Sequence, residues 1–421
     1  MEQLQEIERM IQEGDMETLN VYLNQLKATT DLDLIYEVAS ILAAYGFMKE
    51  ASDLYEVLLV HLPNEAQLKI DRANTLIELG DEDEALLLLN DIKKDDDEYV
   101  QALLVLADYY QLIGLAETAI DKIKEAHERL PEEPVIKFAY AELLLDSGRY
   151  AEATHYYLEI KEQVNEIGDV SIISRLAETY SAGGAYEEAI PYYEEMLQDT
   201  STPDVLFGAA FAYYQVGNPK RAISLLEELI AQDPDYYSAY MLAGQAQILA
   251  GKEQKAYDLF KAGILRDEFD KELQLSAGKC ALKLGYSEEA ETYLKEALVL
   301  DPEYIEALVS LASLYHTTER DEELIELLTD ANEYIEDIST LHAFLAYAYE
   351  RTELYDNAYE SFKKAYSGMK EDHEFLASYA SFLVEEGKRS EAVKVADQLV
   401  KLFPDDSNWR AFLESQNDEE V

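Results

Sequence analysis

The chain has 421 residues with 88 Asp and Glu against 34 Lys and Arg, a formal net charge of −54, which repels phosphate backbones and anionic lipids and so argues against nucleic acid or a membrane surface as partner. Its single cysteine, Cys280, excludes an intrachain disulfide and a thiolate metal cluster, and fits a reducing, cytoplasmic setting. A hydrophobic fraction of 48% with only 9 Pro and 17 Gly favours helix, and almost no β-structure is expected.

The N-terminal sequence MEQLQEIERM is polar and acidic where a secretory signal would be basic and then apolar. Residues 1–31 read as a degenerate helix pair around Gly14, with Leu19, Leu23 and Leu26 on one face, as a terminal cap requires. From residue 32 onward a glycine followed five residues later by alanine recurs: Gly46 and Ala51, Gly80 and Ala85, Gly114 and Ala119, Gly148 and Ala153, Gly184 and Ala189, Gly217 and Ala222, Gly251 and Ala256, Gly285 and Ala290, and Gly387 and Ala392. Glu319 with Leu324 and Glu353 with Ala358 fit the same ruler without the glycine. Eleven units follow, starting at 32, 66, 100, 134, 170, 203, 237, 271, 305, 339 and 373 and ending near 406; all are 34 residues long except the fourth and fifth, which depart by two residues and one. Residues 407–421 form a capping helix, SNWRAFLESQ, that carries Trp409, and an acidic tail expected to fray.

Seven positions before each turn residue stands Ala39, Ala73, Ala107, Ala141, Ala177, Ala210, Gly244, Gly278, Ala312, Ala346 or Ala380. Two helices cross closely only where neither carries bulk, so these places and the alanines of the second helix mark a crossing. The glycine between them ends the first helix in a left-handed conformation. Pro63, Pro131, Pro234, Pro302 and Pro404 end second helices, and Pro134 and Pro203 open first helices. Pro191 falls inside a second helix, where at most a mild local distortion is expected.

Tyr110, Ala119, Ile123, Ala126 and Pro131 in one unit, and Tyr240, Ala243, Gly244, Ala256 and Phe260 in another, give the chain a pattern that resembles the tetratricopeptide-repeat family over about 32–406. The family's Trp at the large first place is absent. The resemblance implies an all-α solenoid, an α–α superhelix of helix-turn-helix repeats. It also implies a non-enzymatic scaffold or adaptor that docks a helix or extended segment of a protein or peptide ligand in its concave groove. An alternative is a peptide-responsive switch that resembles the family's bacterial pheromone receptors without their effector domain.

No catalytic residue, cofactor or metal is expected. His61, His127, His155, His316, His342 and His373 lie singly in different units, and the glycines are accounted for by turns. The chaperone-tail receptors of the family clamp a carboxylate with Lys, Asn and Arg; here Tyr36, Ser40 and Asp71 stand at such places, so that activity is not implied. In the family, places 2, 5, 9, 12 and 13 of a unit meet the ligand. At the N-terminal end these are mostly polar or small, as at Gln67, Asn74, Asp108 and Gln111. From 203 onward they become Phe207, Phe211, Tyr214, Met241, Gln245, Ile248, Leu275, Lys279 and Leu282, in a stretch where 237–302 carries eight basic against eleven acidic side chains. The 32 tyrosines could suggest a stacking platform for bases, but many occupy repeated core places such as Tyr180, Tyr213, Tyr315 and Tyr349, so packing explains them better. Two accounts of the strip stay open: a docking site for the ligand, or packing between neighbouring first helices.

Overall fold

The structure, a computed structural model, describes residues 2–419 and the side chains of 3–416. It comprises two compact units, Met1–Ser201 and Thr202–Val421. The first holds α1 (Glu2–Glu13), α2 (Met16–Leu26), α3 (Leu32–Ala44), α4 (Met48–His61), α5 (Ala66–Leu79), α6 (Glu82–Asn90), α7 (Tyr99–Leu112), α8 (Ala116–Arg129), α9 (Pro134–Asp146), α10 (Tyr150–Lys161), β1 (Glu166–Ile167), β2 (Val170–Ser171), α11 (Ile172–Ala182) and α12 (Tyr186–Asp199). The second holds α13 (Pro203–Gln215), α14 (Pro219–Gln232), α15 (Tyr237–Leu249), α16 (Glu253–Ile264), α17 (Lys271–Leu284), α18 (Ser287–Leu300), α19 (Ile305–Thr317), α20 (Asp321–Asp330), α21 (Ser339–Arg351), α22 (Tyr355–Met369), α23 (His373–Glu385), α24 (Arg389–Leu402) and α25 (Ser407–Glu419). Within each unit successive helix pairs stack, and from α5 onward a first helix packs on the second helix of its own pair and, inside the unit, on that of the pair before. The fold is an all-α solenoid. Pro191 leaves α12 unbroken from Tyr186 to Asp199. The expected frayed end falls on 417–421: α25 is described to Glu419, and the last two residues lie outside the described ones.

The turn between the two helices of a pair repeats one geometry. Gly80 sits at φ 80°, its amide donating to the Ile77 carbonyl (3.0 Å) and the Asp81 amide to Leu76 (2.9 Å), a pattern that satisfies the last carbonyls of the helix. No atom lies within 4 Å of where a Cβ on Gly80 would stand, so backbone conformation alone calls for glycine there. Glu319 and Glu353 keep the same turn at φ 55° and 61°. The Arg320 amide donates to Tyr315 (2.9 Å) and the Leu354 amide to Tyr349 (2.8 Å). Arginines brace both turns. Arg320 donates to Glu291 on α18, whose carboxyl is held down to about 2 chiefly by that bond, and lies 4.5 Å from the Tyr315 ring centroid. Arg351 pairs with Asp321 at the head of α20 (2.9 Å).

At the crossings, all eleven small residues of the first helices are buried. A Cβ on Gly244 would overlap the ring of Phe260, and one on Gly278 would stand 2.8 Å from Leu294 Cγ, so bulk is excluded by the partner helix. Leu324 stands fully buried where other pairs have alanine, and its helix, α20, has only 10 residues. Beyond it, buried Ile335 fills the core from the connecting segment.

The fourth residue of several first helices ties down the loop before it. Tyr240 donates to the Pro234 carbonyl (2.9 Å), Gln274 to Glu268 (3.3 Å), and His342 Nε2 meets the Glu336 carbonyl at 3.2 Å; in each case the partner is six residues back. Lys69 and Lys137, buried at the same place in α5 and α9, pair instead with Asp91 (2.6 Å) and Glu159 (2.7 Å). The unit that departs from 34 by two residues places its extra length in the small antiparallel hairpin β1–β2, with Glu166 opposite Ser171, Ile167 opposite Val170 and Gly168 at φ 59°.

Two measurements follow. A left-handed non-glycine residue costs about 1 kcal/mol, so Glu319→Gly with Glu353→Gly should raise the unfolding midpoint, and hydrogen exchange in 305–372 should be faster than in 203–302 in the parent chain and slow in the variant. Exchange already slower in 305–372 would contradict this. Second, burial holds the His342 imidazole below its ordinary 6.5, with Lys364 acting in the same direction and the Glu336 carbonyl opposing. The unfolded chain therefore binds the proton first as pH drops below about 6.5, and stability should fall there, by at most about 1.4 kcal/mol per pH unit for one such group. His316, also depressed by burial, adds to the trend. His342→Gln, which can donate to the Glu336 carbonyl as Gln274 does to Glu268, should flatten the fall in midpoint between about pH 7.5 and 5.5; an unchanged slope would remove His342 from the account.

Candidate binding surfaces

The apolar strip lies on α13, α15 and α17. None of its side chains stands free. Phe207 packs its ring against Tyr236, centroids 5.2 Å apart, and the Tyr236 hydroxyl donates to Asp204 (3.3 Å). Phe211 and Gln245 are half-buried. Tyr214 leans on a small cluster of Ala222, Ile223 and Ala246. Met241 and Ile248 are half-buried against the core, with the Ser276 hydroxyl 3.7 Å from the Met241 sulfur. Leu282 behaves likewise. Lys279 pairs with Glu306 on the next first helix. Leu275 is a correction to the strip: it is only 4% exposed and belongs to the core between α17 and its neighbours. Place 5 of a first helix lies at the seam with the adjacent pair, and at Leu275 the side chain turns inward, where its burial contributes about 1.5–3 kcal/mol. The strip is thus a row of half-covered side chains in the creases between first helices, and each keeps part of its surface open.

A second surface lies in the N-terminal unit. A cleft of about 520 Å³ opens between α3, α4, α5 and α7. Ala43, Met48, Ile77, Val105 and Leu112 give it apolar walls, while Asp71, Asn74, Glu78 and Asp108 supply polar groups. Gln67 donates to one Asp71 carboxylate oxygen (2.8 Å), the other is sealed from water, and the neutral Tyr36 hydroxyl also bears on the carboxylate. Burial raises the Asp71 carboxyl, against the opposing pull of Gln67 and Tyr36, and the cleft walls raise Asp108 in the same way. At the base Tyr55 lies 3.3 Å from the Ser40 hydroxyl, its phenol pushed up to about 12 by burial. Asp71, Asn74 and Asp108 stand in the sequence in plain view. Their convergence on a cleft does not, since it depends on how α5 and α7 pack.

Neither surface gathers a nucleophile with a base. Among the described residues no group of His, Cys, Asp and Glu could hold a metal ion, and no helix is long and apolar enough to cross a membrane. Cys280 is buried, and burial raises its thiol pKa, which disfavours the reactive thiolate.

Known proteins match the chain along most of its length. Family models described as YpiA-like tetratricopeptide repeats match 111–164, and YpiA-like C-terminal tetratricopeptide repeats match 341–406. General tetratricopeptide-repeat models match 33–132, 172–204, 213–280 and 272–304. The TPR repeat-containing protein YpiA of Bacillus subtilis (strain 168) is 38% identical over 406 residues, which are 95% of this chain and 94% of that protein. The cellulose synthase operon protein C of Pseudomonas fluorescens (strain SBW25) is 26% identical over 253 residues, 60% of this chain but only 18% of the relative. Among solved structures, Naa15/Naa10 bound to HypK-THB aligns at a TM-score of 0.45 with 18% identity, covering 91% of this chain and 65% of that one. YrrB, described as a TPR protein with an unusual peptide-binding site, aligns at 0.38 with 19% identity, covering 45% and 96%. The stacked helix pairs, their small-residue crossings and the near full-length likeness to YpiA agree: the chain belongs to the tetratricopeptide-repeat proteins, and within them to the YpiA-like family.

Proposed function

We propose that this protein is a non-enzymatic scaffold or adaptor that docks a helix or extended segment of another protein along its first helices. The seat is the strip of Phe207, Phe211, Tyr214, Met241, Gln245, Ile248 and Lys279, with Leu275 supporting it from beneath. One observation carries the reading: at matching places of three successive first helices, large apolar or aromatic side chains are anchored by packing on one side and open on the other. Side chains held in this way lose little rotamer freedom on binding, which is what an interface anchor needs. A partner helix with apolar residues at i, i+3, i+4 and i+7 has the matching periodicity.

An aromatic anchor buried at an interface commonly contributes about 2 kcal/mol or more. Phe211→Ala with Tyr214→Ala should therefore weaken binding of a partner captured from the native cell by well over tenfold, at unchanged helicity. The comparison is Leu265→Ala with Val299→Ala, two side chains that are 84% and 74% exposed on second-helix ends. Equal loss in both variants, measured by titration calorimetry against the purified partner, would return the strip to the packing account.

A further inference from the structure

We propose that the cleft between α3, α4, α5 and α7 takes the lysine or arginine side chain of an extended partner segment. The inference shares with the proposed function only that the chain binds protein segments; its site is separate from the strip. The cleft combines two chemistries that one such side chain would use together. Met48, Ile77, Val105 and Leu112 can cover an alkyl stem, and Asp71 and Asp108, with Asn74 and Glu78, can receive a cationic head.

The chain's own cations nearby are engaged elsewhere. Arg72, next to Asp71 in sequence, pairs with Glu84 (2.8 Å) and Glu56 (3.5 Å), and Lys69 with Asp91 (2.6 Å). Asp71 is left with only neutral hydrogen-bonding neighbours, Gln67 and Tyr36, and with one oxygen sealed from water, a costly setting for an ionised carboxylate. A cation entering the cleft offsets that cost. An acidic side chain adds repulsion, and an apolar one covers the carboxyls while leaving them unpaired. The charge of the place is thus opposite to that of a carboxylate clamp. The overall charge of −54 draws basic segments towards the molecule from a distance, but such attraction is diffuse, whereas the cleft is specific to a few named groups.

The test uses the full chain and defined probes. Fluorescein-labelled nonapeptides, acetylated and amidated, carry Lys, Arg, Leu or Glu at the centre of an otherwise constant Ala, Ser and Leu sequence, and binding is read by fluorescence polarisation. The Lys and Arg peptides should bind at least about fivefold tighter than the Leu and Glu peptides. Asp71→Asn with Asp108→Asn, both near-isosteric, should reduce that preference below about twofold at unchanged helicity. Asp108→Lys alone, at a residue exposed enough to tolerate it, should do the same. Phe211→Ala with Tyr214→Ala should leave the preference intact, which separates failure of this site from failure of the strip. Equal binding of all four peptides, or a basic preference that survives both Asp variants, overturns the proposal.

Discussion

The close crossing of two helices within each pair is the contact on which the rest depends. At Gly244 the Phe260 ring fills the space a methyl group would need, and at Gly278 Leu294 does so. Such a crossing fixes the distance between helix axes, and thereby the depth to which Leu, Ile and Phe of the same pair interdigitate. It also sets where the second helix ends and so where the next first helix begins. Every later feature, from the seam that buries Leu275 to the cleft beside Asp71, inherits its position from that spacing.

Much of this was legible because the crossing and the turn each demand a particular residue type at a particular place. Ala or Gly seven residues before a glycine is a steric requirement written directly in the sequence, and Glu319 and Glu353 could be read as left-handed because their places in the period required it. The hairpin β1–β2 could not be read so easily: two residues per strand give too little alternation to stand out from a helix linker. The strip was legible as a set of places on first helices, but how far each side chain is covered depends on the next helix pair. Hence Leu275 went to the core while Met241, at the same place one unit earlier, stayed half-open. The acidic cleft was hidden for a related reason. Asp71 and Asp108 occupy different places in their units, so no repeat-by-repeat reading sets them side by side.

The charge distribution follows a similar division between local and global. Most of the acidic excess lies on exposed faces, where its solvation costs little. A few acids have a structural role instead. Glu291 receives Arg320 and Asp321 receives Arg351, so the two turns that lack glycine are joined to the preceding pair by ion pairs, and strain in the backbone coincides with extra bonding between side chains.

The bonds from Tyr240, Gln274 and His342 to carbonyls six residues back fix the last stretch of chain before a first helix, although the connections they close differ in length. A tether of fixed reach tolerates exchange of the residues it spans, as the differing sequences of those loops attest. Ile173, like Leu206 and Leu308, stands at this place with no polar group to bond a carbonyl, and before α11 the chain carries its two extra residues as a hairpin. A tag or binding loop grafted by design therefore has a natural place at the Gly168–Asp169 tip, where the chain already turns outside the stacked helix pairs.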